Sequence, residues 1–251
     1  MTAASWDRRI ARAEELANTC PPAAEILRFY GEVARFQKSI FEQLKCPRGA
    51  DCPDASILMP YFLPLLSLVK RAGPATLGRV AENLAADQAQ WGALLYNRGE
   101  GLDGGQEFFG RALLQPYTEY LACQENIAVG VVQPVCPFCG EQPQVGVLRG
   151  EGDGGKRSLI CSLCSTEWDF RRLFCPRCGE ESEPKLPVYT AEPFPHVRIE
   201  ACDTCHTFMK TVDLTKNGLA VPVVEELASV ALNVWAEEHG YLKLKLNLLG
   251  M

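Results

Sequence analysis

The sequence predicts an α+β protein: an all-helical N-terminal domain, two tandem rubredoxin-like or zinc-ribbon β modules, and a C-terminal helix. Three observations carry this prediction. Residues 1–132 repeat apolar side chains at helical spacing. Four C-x-x-C pairs then follow in a regular series between 136 and 205. Beyond Pro222 the helical spacing returns. A chain of 251 residues can bury a sizeable core, and 47% apolar with 22% charged residues is ordinary for a soluble globular protein.

The helices come first. Ile10, Ala13, Leu16 and Ala17 mark an amphipathic N-terminal segment, stopped by Pro21 and Pro22. From Ala23 to Leu44, one face collects Ile26, Leu27, Tyr30, Val33, Ala34, Ile40 and Phe41. A Pro-, Gly- and Asp-rich loop follows over 45–55. Further helices are expected over 56–71, 74–97 and 105–131, separated by Gly73-Pro74 and by "RGEGLDGG" (98–105). The most apolar run, 56–69, is too short to cross a bilayer and is interrupted by Pro60 and Pro64, so no membrane insertion is expected. The N-terminus lacks the apolar centre of a signal peptide. Twelve cysteines without a secretion signal point to a reducing cytoplasm, where cysteine pairs are more often metal ligands than disulfides.

Pro134 closes the helical part. Residues 135–215 carry short β-like runs: "VGVL", "RSLIC", "VYT", "VRIEAC" and "KTVDL". The stretch "VVEELASVALNVWAEEHG" is then helical, with Leu227, Val230, Ala231, Val234 and Trp235 on one side and Gly240 as its stop. The expected domains are 1–132, 133–173, 174–216 and 217–251.

The cysteine series is the chemical signature. "CPFCGE" at 136 and "CPRCGE" at 175 repeat almost unchanged. Intervals of 21 and 23 residues lead to "CSLC" at 161 and "CDTC" at 202. Two thiolates two residues apart can face one ion when the backbone between them turns tightly, and Gly140 and Gly179 let that turn continue. Two such half-sites make a tetrahedral four-sulfur site, suited to zinc or to a single rubredoxin-type iron. The repeat pairs Cys136, Cys139, Cys161 and Cys164 in one module, and Cys175, Cys178, Cys202 and Cys205 in the other. Two metal ions, iron or zinc, are therefore expected. A thioredoxin-like dithiol would need only one pair at a strand–helix junction.

The remaining cysteines, Cys20, Cys46, Cys52 and Cys123, have no second half-site and are read as non-ligands. His206 is read as a solvent-facing strand residue, with a hydrogen bond to the neighbouring site as the alternative. "EWDFRR" (167–172) reads as a solvated charged face, with Trp168 packing one module against its neighbour. Four thiolates close an ion's coordination, which suits a structural or electron-transferring role and not hydrolysis. No nucleophile elbow or phosphate loop is visible, and no catalytic residues are assigned.

The series "CPFCG … RSLICSLCSTEWDFRRLFCPRCGE … VRIEACDTCHTFMKTVDL … ELASVALNVWAEEHGY" resembles the formate dehydrogenase accessory protein family FdhE. The resemblance is specific from about 135 to 241. It takes in all four pairs, the "EW" after the second pair and the "R-x-E-x-C" before the fourth. It implies a chain shorter than typical members in its N-terminal part. It implies a cytoplasmic, non-enzymatic assembly factor that binds the catalytic subunit of a respiratory formate dehydrogenase before twin-arginine export. It also implies rubredoxin-like iron at the eight cysteines. Self-association is compatible with it. The acidic balance, net charge −6, would favour a partner segment carrying arginines.

Two other readings stay open on the residues alone. A zinc-ribbon nucleic-acid-binding protein would usually show a basic surface, yet residues 131–212 hold nine Lys/Arg against eleven Asp/Glu. A rubredoxin-like electron carrier would not need the helical body.

Overall fold

The computed structural model describes residues 3–44, 54–96, 103–127, 130, 132–151 and 154–251. The loop with Cys46 and Cys52 lies outside them. Helix α1 (Ala3–Thr19) and helix α2 (Ala24–Gln43) are separated by a 3-10 turn over Pro21–Ala23, where proline ends the first helix. The stretch expected as one helix from 56 opens instead as a 3-10 segment, Ala55–Tyr61, containing Pro60. Helix α3 (Phe62–Ala72) starts only beyond it, because proline has no N–H for the α-helical ladder. The expected helix 74–97 is divided at Asp87 into α4 (Ala75–Ala86) and α5 (Trp91–Tyr96). The Asp87 carboxylate accepts the Ala89 N–H at 3.2 Å, and the Trp91 indole donates to Leu84 O at 2.8 Å, turning the chain back. Helix α6 (Gly104–Gln124) ends seven residues before the expected 131; Asp103 caps its start by accepting the Gln106 N–H at 2.8 Å. Phe108, Phe109, Ala112, Leu113 and Tyr117 bury it at the centre of the helical body.

The cysteine-rich region forms strands β1 (Pro143–Glu151), β2 (Gly154–Cys161), β3 (Glu167–Asp169), β4 (Val188–Thr190), β5 (Val197–Cys202) and β6 (Thr207–Asp213). The five expected runs fall in strands, except that Leu214 of the last lies just past the end of β6. β3 lies inside the segment read as a solvated charged face: Glu167 and Asp169 point outward, whereas Trp168 is buried. The Trp168 indole donates to Gln133 O at 2.9 Å, and its ring shares a core with α6 as well as with Met209 of the other module.

Both repeats contribute to one sheet, in the order β3-β2-β1-β6-β5-β4. Each repeat is an antiparallel three-stranded unit, and the two meet through a parallel pairing of 146–148 with 211–213. Gly146 permits this junction, since a Cβ there would overlap the Thr211 hydroxyl. A short strand β7 (Leu242–Lys243) pairs with β6. One face of the sheet buries Val147, Val197, Ile199 and Phe208 with Leu232 and Ala236 of the C-terminal region. The opposite face brings Leu159, Trp168 and Met209 into the core of the helical body.

The expected C-terminal helix is two helices, α7 (Pro222–Ala228) and α8 (Val230–Glu238). A buried cation marks the break at Ser229. Lys210, fully buried on β6, donates its ammonium to Glu226 O and, at 3.3 Å, to Ser229 O. An ammonium on carbonyls at the end of α7 is favoured by the helix dipole, and Ser229 O also accepts the Leu232 N–H at 3.0 Å. Of the expected apolar side, Leu227 is buried and Val230 and Trp235 are half-buried, whereas Ala231 and Val234 are exposed, because the two helices do not share one continuous face. Helix α7 packs Val224, Leu227 and Ala228 against Trp6, Ala13, Leu27 and Tyr30 of α1 and α2, so the chain's end closes on its beginning. Arg12 and His196 both reach Glu225, at 2.6 and 2.9 Å, tying three distant segments together.

Glu226 sits between Lys210, at 3.0 Å, and Lys243, all with buried side chains. Burial pushes the Glu226 carboxyl up, but the two ammonium groups prevail and hold it down to about 2. Glu226→Gln leaves two buried ammonium groups without a counter-charge and should cost about 3–5 kcal/mol at neutral pH. A carboxylate depressed in the folded state stabilises above its unfolded value and loses that contribution as pH falls toward about 2. The difference in urea midpoint between Glu226→Gln and the natural protein should therefore shrink steadily below pH 4.5, the unperturbed value. A difference independent of pH would contradict the assignment.

Candidate metal centres

Each C-x-x-C pair closes a backbone knuckle. In the first pair of each repeat, the Gly140 N–H donates to Cys136 O and the Gly179 N–H to Cys175 O, both at 3.0 Å. Cys136 N–H then meets Glu141 O at 2.8 Å, and Cys175 N–H meets Glu180 O at 2.9 Å. The turn requires a left-handed residue directly after the second cysteine. Gly140 and Gly179 supply it at φ of 77° and 78°. The second pairs use the same turn without glycine: Ser165 and His206 stand there at φ of 52° and 53°. His206 is thus an exposed turn residue that forms this bend and not part of a strand.

The turns bring the eight predicted residues into two groups, Cys136, Cys139, Cys161, Cys164 and Cys175, Cys178, Cys202, Cys205. Within each group all four sulfurs lie within 4.8 Å of one another. The shorter separations are 3.4 and 3.5 Å in the first group and 3.6 and 3.7 Å in the second. A disulfide would need about 2.05 Å. Four bonds of about 2.3 Å to a central ion give tetrahedral edges of about 3.8 Å, so the sulfur sets fit zinc or a single iron. Grouping is within each repeat and not across the ten-residue link between Cys164 and Cys175. Cys20 and Cys123 belong to neither group.

Polar groups of the knuckles meet the sulfurs. The Leu163 N–H points at the Cys161 sulfur at 3.3 Å. A threonine two residues past each final cysteine pairs its hydroxyl with the sulfur: the Cys164 thiol donates to the Thr166 hydroxyl at 3.1 Å, and Cys205 lies 3.0 Å from the Thr207 hydroxyl. As thiols the groups share protons unequally. Hydrogen bonds from Cys139, Cys161 and Cys164 hold Cys136 far below the usual thiol range, while the bonds with Cys136 and Cys139 push Cys161 and Cys164 far above it. Burial pushes Cys175 up to about 12. A cation at the centre reverses this competition, because it stabilises every thiolate at once.

The two centres differ in how they are held. Around the first, α6 grips the Cys161–Cys164 knuckle: Arg111 and Gln115 both donate to Ser162 O at 2.9 Å, and Thr118 reaches Leu163 O at 3.5 Å. Glu119 accepts from Ser165 at 2.7 Å and from Arg9 at 2.8 Å, extending the clamp to α1. Cys136, Cys161 and Cys164 are buried in the core that α6 organises. The second centre has Cys178 exposed and Cys205 half-buried. Its two half-sites are joined by Glu180, which accepts from Thr204 at 2.6 Å. Of these features, the sequence showed the cysteines and the glycines. The threonines were readable as a repeated C-x-T, at Cys164–Thr166 and Cys205–Thr207. The α6 clamp had no sequence signal, since it joins residues about 50 apart through backbone carbonyls.

A helical body carrying a continuous sheet with two four-cysteine groups, each able to hold one metal ion in a closed tetrahedral site, is the class of protein that fold and site define. Residues 135–172 match the family model described as "FdhE, central domain", and residues 174–249 match "FdhE, C-terminal domain". A Protein FdhE homolog of Aquifex aeolicus is 28% identical over 265 residues, covering 95% of this chain and 93% of its own length. Another, of Pseudomonas putida, is 31% identical over 210 residues, covering 76% of this chain and 65% of its own. The crystal structure of the FdhE protein from Pseudomonas aeruginosa superposes with a TM-score of 0.77 at 25% identity, covering 99% of this chain and 96% of that one. The two family models, the curated relatives and the solved structure all support the FdhE family. The chain spans nearly all of the Aquifex relative but under two thirds of the Pseudomonas putida one.

Cys136→Ala and Cys175→Ala should each lower the metal content from two ions to one. Because the first centre is built into the helical core, Cys136→Ala should also lower the unfolding temperature of the whole molecule. Cys178→Ala, at an exposed ligand position, should disturb only the second module. A chelator should strip the second centre well before the first, followed by metal analysis of desalted aliquots. Equal stripping rates would refute the asymmetry.

Proposed function

We propose that this protein acts by binding, without turnover, on the immature catalytic subunit of a respiratory formate dehydrogenase, in the cytoplasm and before twin-arginine export. Two observations support the reading. The likeness to FdhE proteins supports a role in formate dehydrogenase maturation, in line with the resemblance carried by residues 135–241. The donor sets are closed: four thiolates fill a tetrahedron and leave no position for a substrate or an activated water. The eight cysteines serve here as ligands that hold the sheet in shape, with iron or zinc as the ion. Among the described residues no helix is long and apolar enough to cross a membrane.

Deleting the gene should lower respiratory formate dehydrogenase activity while the catalytic polypeptide is still made. A plasmid copy should restore activity, and copies with Cys161→Ala or Cys202→Ala should not. Full activity in the deletion strain, measured against immunoblots of the catalytic polypeptide, would end this reading.

A further inference from the structure

The sheet has two free edges, and they are unlike. At one end β3 presents Glu167 and Asp169, which pair with Arg149 at 2.8 Å and Lys156 at 2.9 Å. Charges along an edge discourage another strand from adding to it. At the other end β4 is Val188-Tyr189-Thr190, without a charge. No described strand lies beyond it. The pairing with the next strand continues upstream of β4, where Ala201 N–H donates to Pro187 O at 3.0 Å. Glu183–Lys185 forms a 3-10 turn whose Glu183 O takes the Leu186 N–H at 3.0 Å, so the free edge runs from 187 to 190.

Beside this edge opens a cleft of about 410 Å³. Its apolar walls are Leu173, Phe174, Leu186, Val188, Met209 and Leu244. Leu173 and Val188 are each 50% exposed, large apolar side chains facing solvent at the mouth of one cavity. The volume falls in the range of about 300–1,000 Å³ common to ligand sites.

The polar lining has a sign. Arg157, Arg172 and Arg198 line the cleft against one carboxylate, Glu200. Arg157 and Arg198 both hold Glu200, at 2.6 and 2.9 Å, which leaves the exposed Arg172 as surplus positive charge. Cys175 and Cys202 of the second centre close the far wall. Their charge is spread over sulfurs, whereas a guanidinium fork is matched by a planar carboxylate. An arginine-bearing segment, which the overall acidic balance would favour, meets like charge at this position.

We infer that the outer edge of β4 and its cleft form the docking site for an extended segment of a partner polypeptide carrying a carboxylate next to a large apolar side chain. The segment adds to the sheet by main-chain hydrogen bonds, its apolar side chain enters the cleft, and its carboxylate meets Arg172. The inference rests on the binding function proposed above, with the partner being the formate dehydrogenase catalytic subunit.

The test uses the full-length, metal-loaded protein and the purified catalytic subunit lacking its cofactors, with affinity read by biolayer interferometry. Val188→Lys and Arg172→Glu, both at exposed positions, should each weaken binding by about tenfold or more, while Arg172→Lys stays within about twofold. Metal content and unfolding temperature of each variant report whether it has folded, and Leu173→Asp provides an independent apolar probe. In the complex, hydrogen exchange at 188–190 should slow. If the natural protein binds the subunit and all four variants bind equally well, the docking site is wrong while the functional reading stands. If the natural protein does not bind the subunit, the functional reading falls and the docking site with it. If Val188→Lys abolishes self-association and leaves subunit binding intact, the edge belongs to a second copy of this chain and the inference is overturned.

Discussion

Four cysteine sulfurs held within 4.8 Å of one another are a constraint that a folded chain satisfies only with help. As thiolates they repel, and as thiols they compete for a few protons in a buried space. A cation resolves both conflicts, and each of the two groups in this protein has the spacing to take one. Everything nearby is arranged around that convergence. The left-handed residue after each pair, the N–H on the Cys161 sulfur and the threonine hydroxyls all serve to aim four sulfurs at one point.

The centres are also joints. The Cys161–Cys164 knuckle is gripped by α6 through its carbonyls, so the first centre is part of the helical core and not an appendage to it. The parallel β1–β6 junction links the second repeat to the first within one sheet. Helix α7 then returns to α1 and α2, sealed by Glu225, while Lys210, Glu226 and Lys243 anchor it to the sheet below. Buried ionic groups of this kind add little net stability over apolar replacements, but they penalise alternative registers because each mispairing strands a charge.

The same construction leaves the far end of the molecule comparatively free. The second centre, with Cys178 exposed, sits beside a free uncharged strand edge and an open cleft. One half is thus clamped to the helical body, and the other presents its second centre and the cleft to solvent.

Much of this was legible from residues alone. The α+β class, the helical first half, all five β runs and both sets of four cysteines follow from local patterns: apolar spacing, turn residues and a repeat that pairs its own halves. Local chemistry also placed Gly140 and Gly179. What the sequence did not disclose depends on groups far apart in the chain. The break at Ser229 is met by Lys210 arriving from a strand. β3 was hidden because its two charged residues outweigh Trp168 in a three-residue window. The single sheet required knowing that β1 would lie beside β6, and Gly146 showed only an absent side chain. Cysteine spacing determined where metal could be held, since two thiolates and a tight turn are neighbours in sequence. The tertiary structure decided how differently the two centres are buried, because burial is set by which distant helix or solvent lies against each knuckle.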